Sequence, residues 1–115
     1  MKFEPFHEAT PIVDDAQQLR RQAAEDGYLF FRGLLDPGLI SRARAGALRA
    51  CRAVGWLASG GQLMDGVAVP GIGAGDYDDP AYLEISRRVL SMAEFAEIRE
   101  HPAIIAVLEK LFDGP

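Results

Sequence analysis

The apolar positions of the chain change their spacing several times, and the changes predict a mostly α-helical protein with one or two short β-strands. The predicted order is helix, strand, helix, loop and then three short helices. The strand, Tyr28 to Leu34, is apolar on both of its alternating faces, as in a strand that is covered on both sides. The weak second candidate is Gln62 to Val69. Most of the sheet that would cover residues 28–34 is therefore expected to lie outside these 115 residues.

Capping signals set the boundaries of the first two helices. Asp14 and Gln17 have the spacing of a capping box, and Gly27 is expected to end the first helix. Asp36 as the N-cap and Pro37 at the first helical position predict the start of the second helix, because the missing proline donor would be unpaired there in any case.

The later helices carry similar signals. Asp79 and Pro80 predict one helix start, and Ser91 with Glu94 forms a second capping-box pattern. The short helix that follows this pattern is expected to end at His101, because the residue before a proline is disfavoured in helical geometry. Pro102 then opens the last helix. The apolar face of this helix is broad and includes Ile104, Ile105, Leu108, Leu111 and Phe112.

A glycine-rich acidic loop is predicted at residues 55–79, where the helical period disappears and seven glycines occur. Long loops in compact domains are usually functional or mobile, so we expect a lid beside a substrate entrance. Gly71 to Gly75 lacks the Lys and Ser/Thr of a phosphate-binding loop. Its acidic surroundings would also repel an anion. The acidic residues are Asp65, Asp76, Asp78, Asp79 and Glu84.

The amino-acid composition limits the classes of binding partner and indicates a cellular compartment. Seventeen acidic and twelve basic residues give a net charge of −5, which argues against nucleic acid. Four arginines cluster in the predicted second helix and are expected to form a face of that helix exposed to solvent. No apolar run approaches the roughly 18 residues of a membrane span, so no membrane partner is expected. A single cysteine and the lack of a signal core favour the cytoplasm. The arginines are Arg42, Arg44, Arg49 and Arg52.

Candidate chemistry is sparse, and no catalytic, cofactor-binding or metal-binding residue is predicted. His7 is expected to be an exposed residue of a flexible N-terminal segment, residues 1–13. His101 and Glu97 are four residues apart, but the following proline spoils their helical alignment, so His101 is expected to be a helix-boundary residue. Cys51 is expected to be a small buried residue rather than a nucleophile. The serines have adequate structural explanations in helices, loops or caps, and they are Ser41, Ser59, Ser86 and Ser91.

Two blocks carry a family resemblance. Residues 26–37, followed by a helix rich in Arg and Ala, resemble the opening of the phytanoyl-CoA dioxygenase family, whose members are Fe(II)- and 2-oxoglutarate-dependent oxygenases. Residues 95–115 are similar to the helix that leads into the catalytic barrel of such proteins. The resemblance covers residues 14–115, which would form the N-terminal helical part of the domain.

The resemblance implies a double-stranded β-helix, or jelly-roll, fold whose barrel core is absent here, with the helices forming an outer layer. It also implies an iron site made by a His-x-Asp motif and a distal His, together with an Arg that pairs with 2-oxoglutarate. None of these residues can be assigned to a position in this chain. The implied partners are the missing barrel or another copy of the chain, reached through residues 28–34, and a small organic substrate.

The sequence leaves three possible functions, each from a different class of protein. The chain is read first as the N-terminal, non-catalytic portion of an oxygenase that hydroxylates a small organic molecule when complete. The first alternative is a free-standing helical interaction module that docks an exposed strand on another protein. The second is an enzyme of unrelated chemistry that uses the acidic loop.

Overall fold

A computed structural model of the chain describes residues 3–72 and 77–112, and this part is mostly helical. The prediction of a mostly α protein is confirmed. Two short 3-10 turns accompany the helices, at Thr10–Ile12 and Leu63–Asp65. The five α-helices are α1 (Ala16–Asp26), α2 (Pro37–Ala53), α3 (Pro80–Leu90), α4 (Ala93–Arg99) and α5 (Pro102–Phe112).

The predicted strand at residues 28–34 is wrong as a continuous element. Within it only Phe30 forms a β-bridge, which runs parallel to Glu8, and the carbonyl of Phe30 accepts a hydrogen bond of 2.7 Å from the backbone N–H of Ala9. Gly33 has a φ of 71°, a left-handed conformation that interrupts extended backbone. The segment therefore finds one short pairing inside the chain, with the N-terminal residues.

The second strand candidate, residues 62–69, is extended only at its end. Leu57 and Ala68 form an antiparallel bridge. The N–H of Ala58 donates to the carbonyl of Val67 at 2.8 Å, and Val69 donates to Trp56 at 2.8 Å. The start of the candidate is occupied by the second 3-10 turn, so the predicted loop has local structure at residues 56–69.

Two predicted helix caps are confirmed. Gly27 ends α1 with a left-handed φ of 77°. Asp79 caps α3 by accepting a hydrogen bond from the N–H of Ala81 at 2.8 Å, and Pro80 is the first residue of the helix. Both are local interactions, which explains why the residue types alone predict them.

Two predicted caps are wrong. The N-cap of α1 is Asp15, which accepts from the N–H of Gln18 at 3.0 Å, so the predicted box at Asp14 is displaced by one residue. Ser91 does not begin α4. Its hydroxyl donates to the carbonyl of Arg87 at 2.9 Å and so caps the C-terminal end of α3.

Contacts divide the chain into two units, Met1–Asp36 with Glu100–Pro115 and Pro37–Arg99. In the first unit α1 packs against α5. Leu19 and Val107 are buried. Arg20 Nε also donates to the carbonyl of Lys110 at 2.9 Å.

The second unit is organised around α2, which packs against α3, α4 and the 3-10 turn at Leu63–Asp65. Leu39 and Ala50 of α2 are buried. A Cβ atom at Gly46 would lie 2.5 Å from Cε of Met92, so the absence of a side chain permits close packing at this point. Among the helices of the described residues, none has both the length and the apolar character needed to cross a membrane.

Candidate functional site

The N-terminal segment, residues 6–13, packs against residues 26–32 through aromatic contacts and side-chain hydrogen bonds. The ring of Phe6 meets the ring of Tyr28 edge-on, with centroids 5.0 Å apart, and lies 5.7 Å from the ring of Phe30. Ala9 is fully buried. The division into residues 1–13 and 14–115 stays a prediction.

His7 is exposed, as predicted, but it has specific partners. Its Nδ1 lies 3.0 Å from Oδ2 of Asp26, and its backbone N–H donates to the hydroxyl of Tyr28 at 3.0 Å. The side chain of His7 is 70% exposed and that of Asp26 is 16% exposed. A proton on Nδ1 would be donated to the carboxylate, which would leave Nε2 as the acceptor of the neutral ring.

Thr10 connects the two segments with its hydroxyl. Oγ1 of Thr10 accepts a hydrogen bond from the backbone N–H of Arg32 at 3.1 Å. The same hydroxyl donates to Oε1 of Glu8 at 2.9 Å. The guanidinium of Arg32 lies over the ring of Phe30 at 5.0 Å and approaches Glu8 at 3.8 Å. The exposed Arg32 side chain thus combines a cation–π contact with a long ion pair.

A cleft of about 440 Å³ opens beside this surface. Its charged or titratable lining residues are His7, Glu8, Arg21, Glu25 and Asp26. Three carboxylates and one guanidinium give the lining an excess of negative charge, which disfavours an anion. Within residues 3–72 and 77–112, no three His, Cys, Asp or Glu side chains come together as metal ligands.

His101 is a helix-boundary residue, as predicted. Its Nδ1 accepts a hydrogen bond of 3.1 Å from the backbone N–H of Ala103, immediately before α5 begins at Pro102. Because this nitrogen is engaged by the backbone, the ring acts as a cap. The prediction that the chain holds no catalytic or metal-binding residue stays a prediction.

Cys51 is half buried in α2, and burial raises the pKa of its thiol above the ordinary value. A raised pKa disfavours the thiolate, which is the nucleophilic form. The prediction of a structural cysteine agrees with this environment. The predicted solvated face of α2 is confirmed, because its four arginines are all exposed, namely Arg42, Arg44, Arg49 and Arg52.

Two of the acidic residues in or beside the predicted loop, Asp65 and Glu84, have local partners. Asp65 accepts from the backbone N–H of Gln62 at 3.2 Å in a capping box. Glu84 pairs with Arg87 and Arg88, with contacts of 2.7 Å to each. Hydrogen bonds from these two arginines lower the pKa of Glu84 to about 2. The alternative of an enzyme that uses the acidic loop stays a prediction.

The glycine run at residues 71–75 falls partly outside the described residues. Residues 73–76, which include Asp76, are not described. The expectation of a mobile lid at residues 55–79 stays a prediction.

Sequence reasoning missed the contacts between the N-terminal segment and residues 26–32. His7 and Asp26 are separated by 19 positions, and Thr10 and Arg32 by 22. No helical or strand period relates residues at such distances. The available signal was the aromatic content of both segments, in Phe6 and in Tyr28 to Phe31, which is compatible with mutual packing but specifies no pairing.

Comparison with known proteins finds a similarity to a hydroxylase. The chain is similar to 1-deoxypentalenic acid 11-beta-hydroxylase of Streptomyces arenae, with 28% identity over 113 residues. The match covers 98% of this chain and 36% of the hydroxylase, so the chain spans about a third of the length of this curated relative. No family model matches the chain. No solved structure matches it either.

Proposed function

We propose that this chain is the N-terminal, non-catalytic portion of an Fe(II)- and 2-oxoglutarate-dependent oxygenase related to the phytanoyl-CoA dioxygenases, and that the complete protein hydroxylates a small organic molecule. The observation that carries the proposal is the match to a hydroxylase across 98% of the chain and 36% of that protein. A match of this extent includes the helices and the loop between them, rather than a single amphipathic segment.

The mostly helical architecture is consistent with the outer layer that the family resemblance implies. The two blocks that carry the resemblance, residues 26–37 and 95–115, both overlap the region of similarity to the hydroxylase. The proposal therefore rests on a similarity in sequence and on an arrangement of helices that agrees with it.

The described residues do not fit an iron site of this class. A facial site needs two histidines and a carboxylate directed at one point. His7 is placed beside Asp26, and His101 caps α5. Bound Fe(II) would supply the oxygen chemistry in the complete protein, but no step is assigned to residues of this chain. Their role in the proposal is to form the helical layer.

The experiment uses a polypeptide in which this chain is continued to about the length of the hydroxylase. The purified protein is supplied with Fe(II), 2-oxoglutarate and small organic acids, and consumption of 2-oxoglutarate is followed. We expect consumption by the long protein and none by the 115-residue chain. A matched variant replaces the histidine of the downstream His-x-Asp with Ala and should be inactive.

Two outcomes would count against the proposal. The first is a long protein without a His-x-Asp motif, and the second is consumption that persists when that histidine is replaced. Either result would favour the alternative of a helical interaction module without catalysis.

A further inference from the structure

A small pocket lies in the second unit, between the last turn of α2 and residues 57–67, and we name it the α2–turn pocket. Its volume is about 140 Å³. The N–H of Ala58 donates to the carbonyl of Val67 at 2.8 Å, so backbone pairing joins the two ends of the segment that lines it. The lining includes Arg52, Leu57, Ser59, Gln62, Leu63 and Val67.

The lining of the α2–turn pocket combines an apolar wall with hydrogen-bond donors. The wall consists of two leucines and a valine, and the donors are a guanidinium, a hydroxyl and a side-chain amide. None of the lining residues is an Asp or a Glu. A guanidinium binds a carboxylate through two parallel hydrogen bonds, and an apolar wall beside it suits a hydrocarbon chain.

The guanidinium of Arg52 is available for a ligand. Within residues 3–72 and 77–112, the Arg52 side chain has no hydrogen-bond or ion-pair partner. Arg42 and Arg49 of α2 line a separate hollow, but the lining of that hollow also contains Glu94. Of these two places on α2, the α2–turn pocket is thus the one where a guanidinium is combined with an apolar wall and no acid.

Asp65 is the acidic residue nearest to the pocket in sequence. Its carboxylate accepts a hydrogen bond from the N–H of Gln62 at 3.2 Å, and it does not line the pocket. Nη2 of Arg44 lies 3.5 Å from the position that a Cβ atom on Gly66 would occupy, so a second guanidinium lies beside the same 3-10 turn. Since the chain still has a net charge of −5, a ligand with one negative charge is favoured over a polyanion.

We propose that the α2–turn pocket binds a small aliphatic monocarboxylate, with the carboxylate on Arg52 and the hydrocarbon against the apolar wall. The volume of the pocket is below the roughly 300–1,000 Å³ of sites for drug-sized ligands, so the hydrocarbon must be short. The inference does not rest on the proposed function, because the pocket is formed within this chain alone.

The test titrates hexanoate into the isotope-labelled 115-residue chain and follows the backbone amide signals by NMR. A ligand of this size should bind with a Kd on the order of 1–10 mM and shift the amides of residues 57–67. Hexanol lacks the charge and acetate lacks the chain. Each should therefore bind at least about fivefold more weakly than hexanoate.

The decisive variant is Arg52→Gln, which should weaken hexanoate binding about tenfold because the charge-assisted hydrogen bonds are lost. Arg49→Gln is the matched control on the same helix, and its Kd should equal that of the unmodified chain. Arg52→Lys keeps the charge without the planar fork and should give an intermediate Kd. If Arg52→Gln is not folded, Ser59→Ala is measured instead and should weaken binding about threefold.

Several results would overturn the inference. They are no saturable binding at about 50 mM hexanoate, equal affinities for hexanoate and hexanol, and shifts centred on Arg42 and Arg49. A cation that only stabilises the end of α2 would also be revealed, because Arg52→Gln would then lower Tm and leave the Kd unchanged. None of these results depends on 2-oxoglutarate consumption by the continued polypeptide, so the two proposals fail separately.

Discussion

Leu19→Ala is expected to be the most destabilising single truncation in the first unit. Leu19 lies near the start of α1, has no solvent-exposed surface, and belongs to the helix that packs against α5. Alanine has a slightly higher helix propensity than leucine, so the substitution does not weaken the helix itself. Any loss of stability therefore reports on packing.

The expected loss of stability in Leu19→Ala follows from the burial of the Leu19 side chain. A fully buried leucine truncated to alanine costs about 2–5 kcal/mol, because transfer energy is lost and a cavity remains. The free energy of unfolding of a small domain is only about 5–15 kcal/mol in total. Leu19→Ala should therefore remove a large share of the stability. Leu90→Ala is the control, since Leu90 is 61% exposed and its loss should change the stability by less than about 0.5 kcal/mol.

The assay is urea unfolding followed by circular dichroism at a helical wavelength, with the midpoint and slope fitted separately. We expect a lower midpoint with an unchanged slope for Leu19→Ala. A midpoint equal to that of the Leu90→Ala control would refute the packing of α1 described here.

Four further predictions follow. Thr10→Val should cost about 1 kcal/mol in urea unfolding, because the N–H of Arg32 loses its acceptor; an unchanged midpoint would contradict it. Hydrogen bonds from Gln18 lower the pKa of Asp15, so this carboxylate stabilises the fold above its unfolded-state pKa and the contribution is lost as pH falls through the folded-state value. Asp15→Asn should flatten that acid dependence of Tm, and an identical pH profile would argue against the cap. Amide exchange should be faster in residues 55–79 than in α2, and equal protection would contradict the lid. The 115-residue chain should not bind Fe(II) tightly in calorimetry, whereas stoichiometric micromolar binding would show that a metal site was overlooked.

The sequence predicted those features that depend on neighbouring residues. Gly27 and Asp79 mark helix ends because a left-handed residue and a side-chain cap act within one turn. His101 was predicted as a boundary residue because of the proline that follows it. The errors at Asp14 and Ser91 arose where two nearby residues could each serve as a cap, and the choice between them depends on geometry.

The candidate site could not be predicted because its contacts join distant parts of the chain. An apolar run such as residues 28–34 indicates burial, but it does not specify what covers the side chains. In the structure Phe6 packs beside Tyr28 and Phe30, so aromatic contacts replace part of the cover expected from a sheet. The pairing of His7 with Asp26 lies beside that packing, because the backbone N–H of His7 donates to the hydroxyl of Tyr28.

The reading frame beyond residue 115 tests the central claim most directly. If this chain is the front of an Fe(II)- and 2-oxoglutarate-dependent oxygenase, sequencing the gene should reveal a His-x-Asp motif downstream, followed by a distal His and an Arg, over a length comparable to the rest of the matched hydroxylase. A stop codon directly after Pro115, or a long continuation without such a motif, would contradict the account.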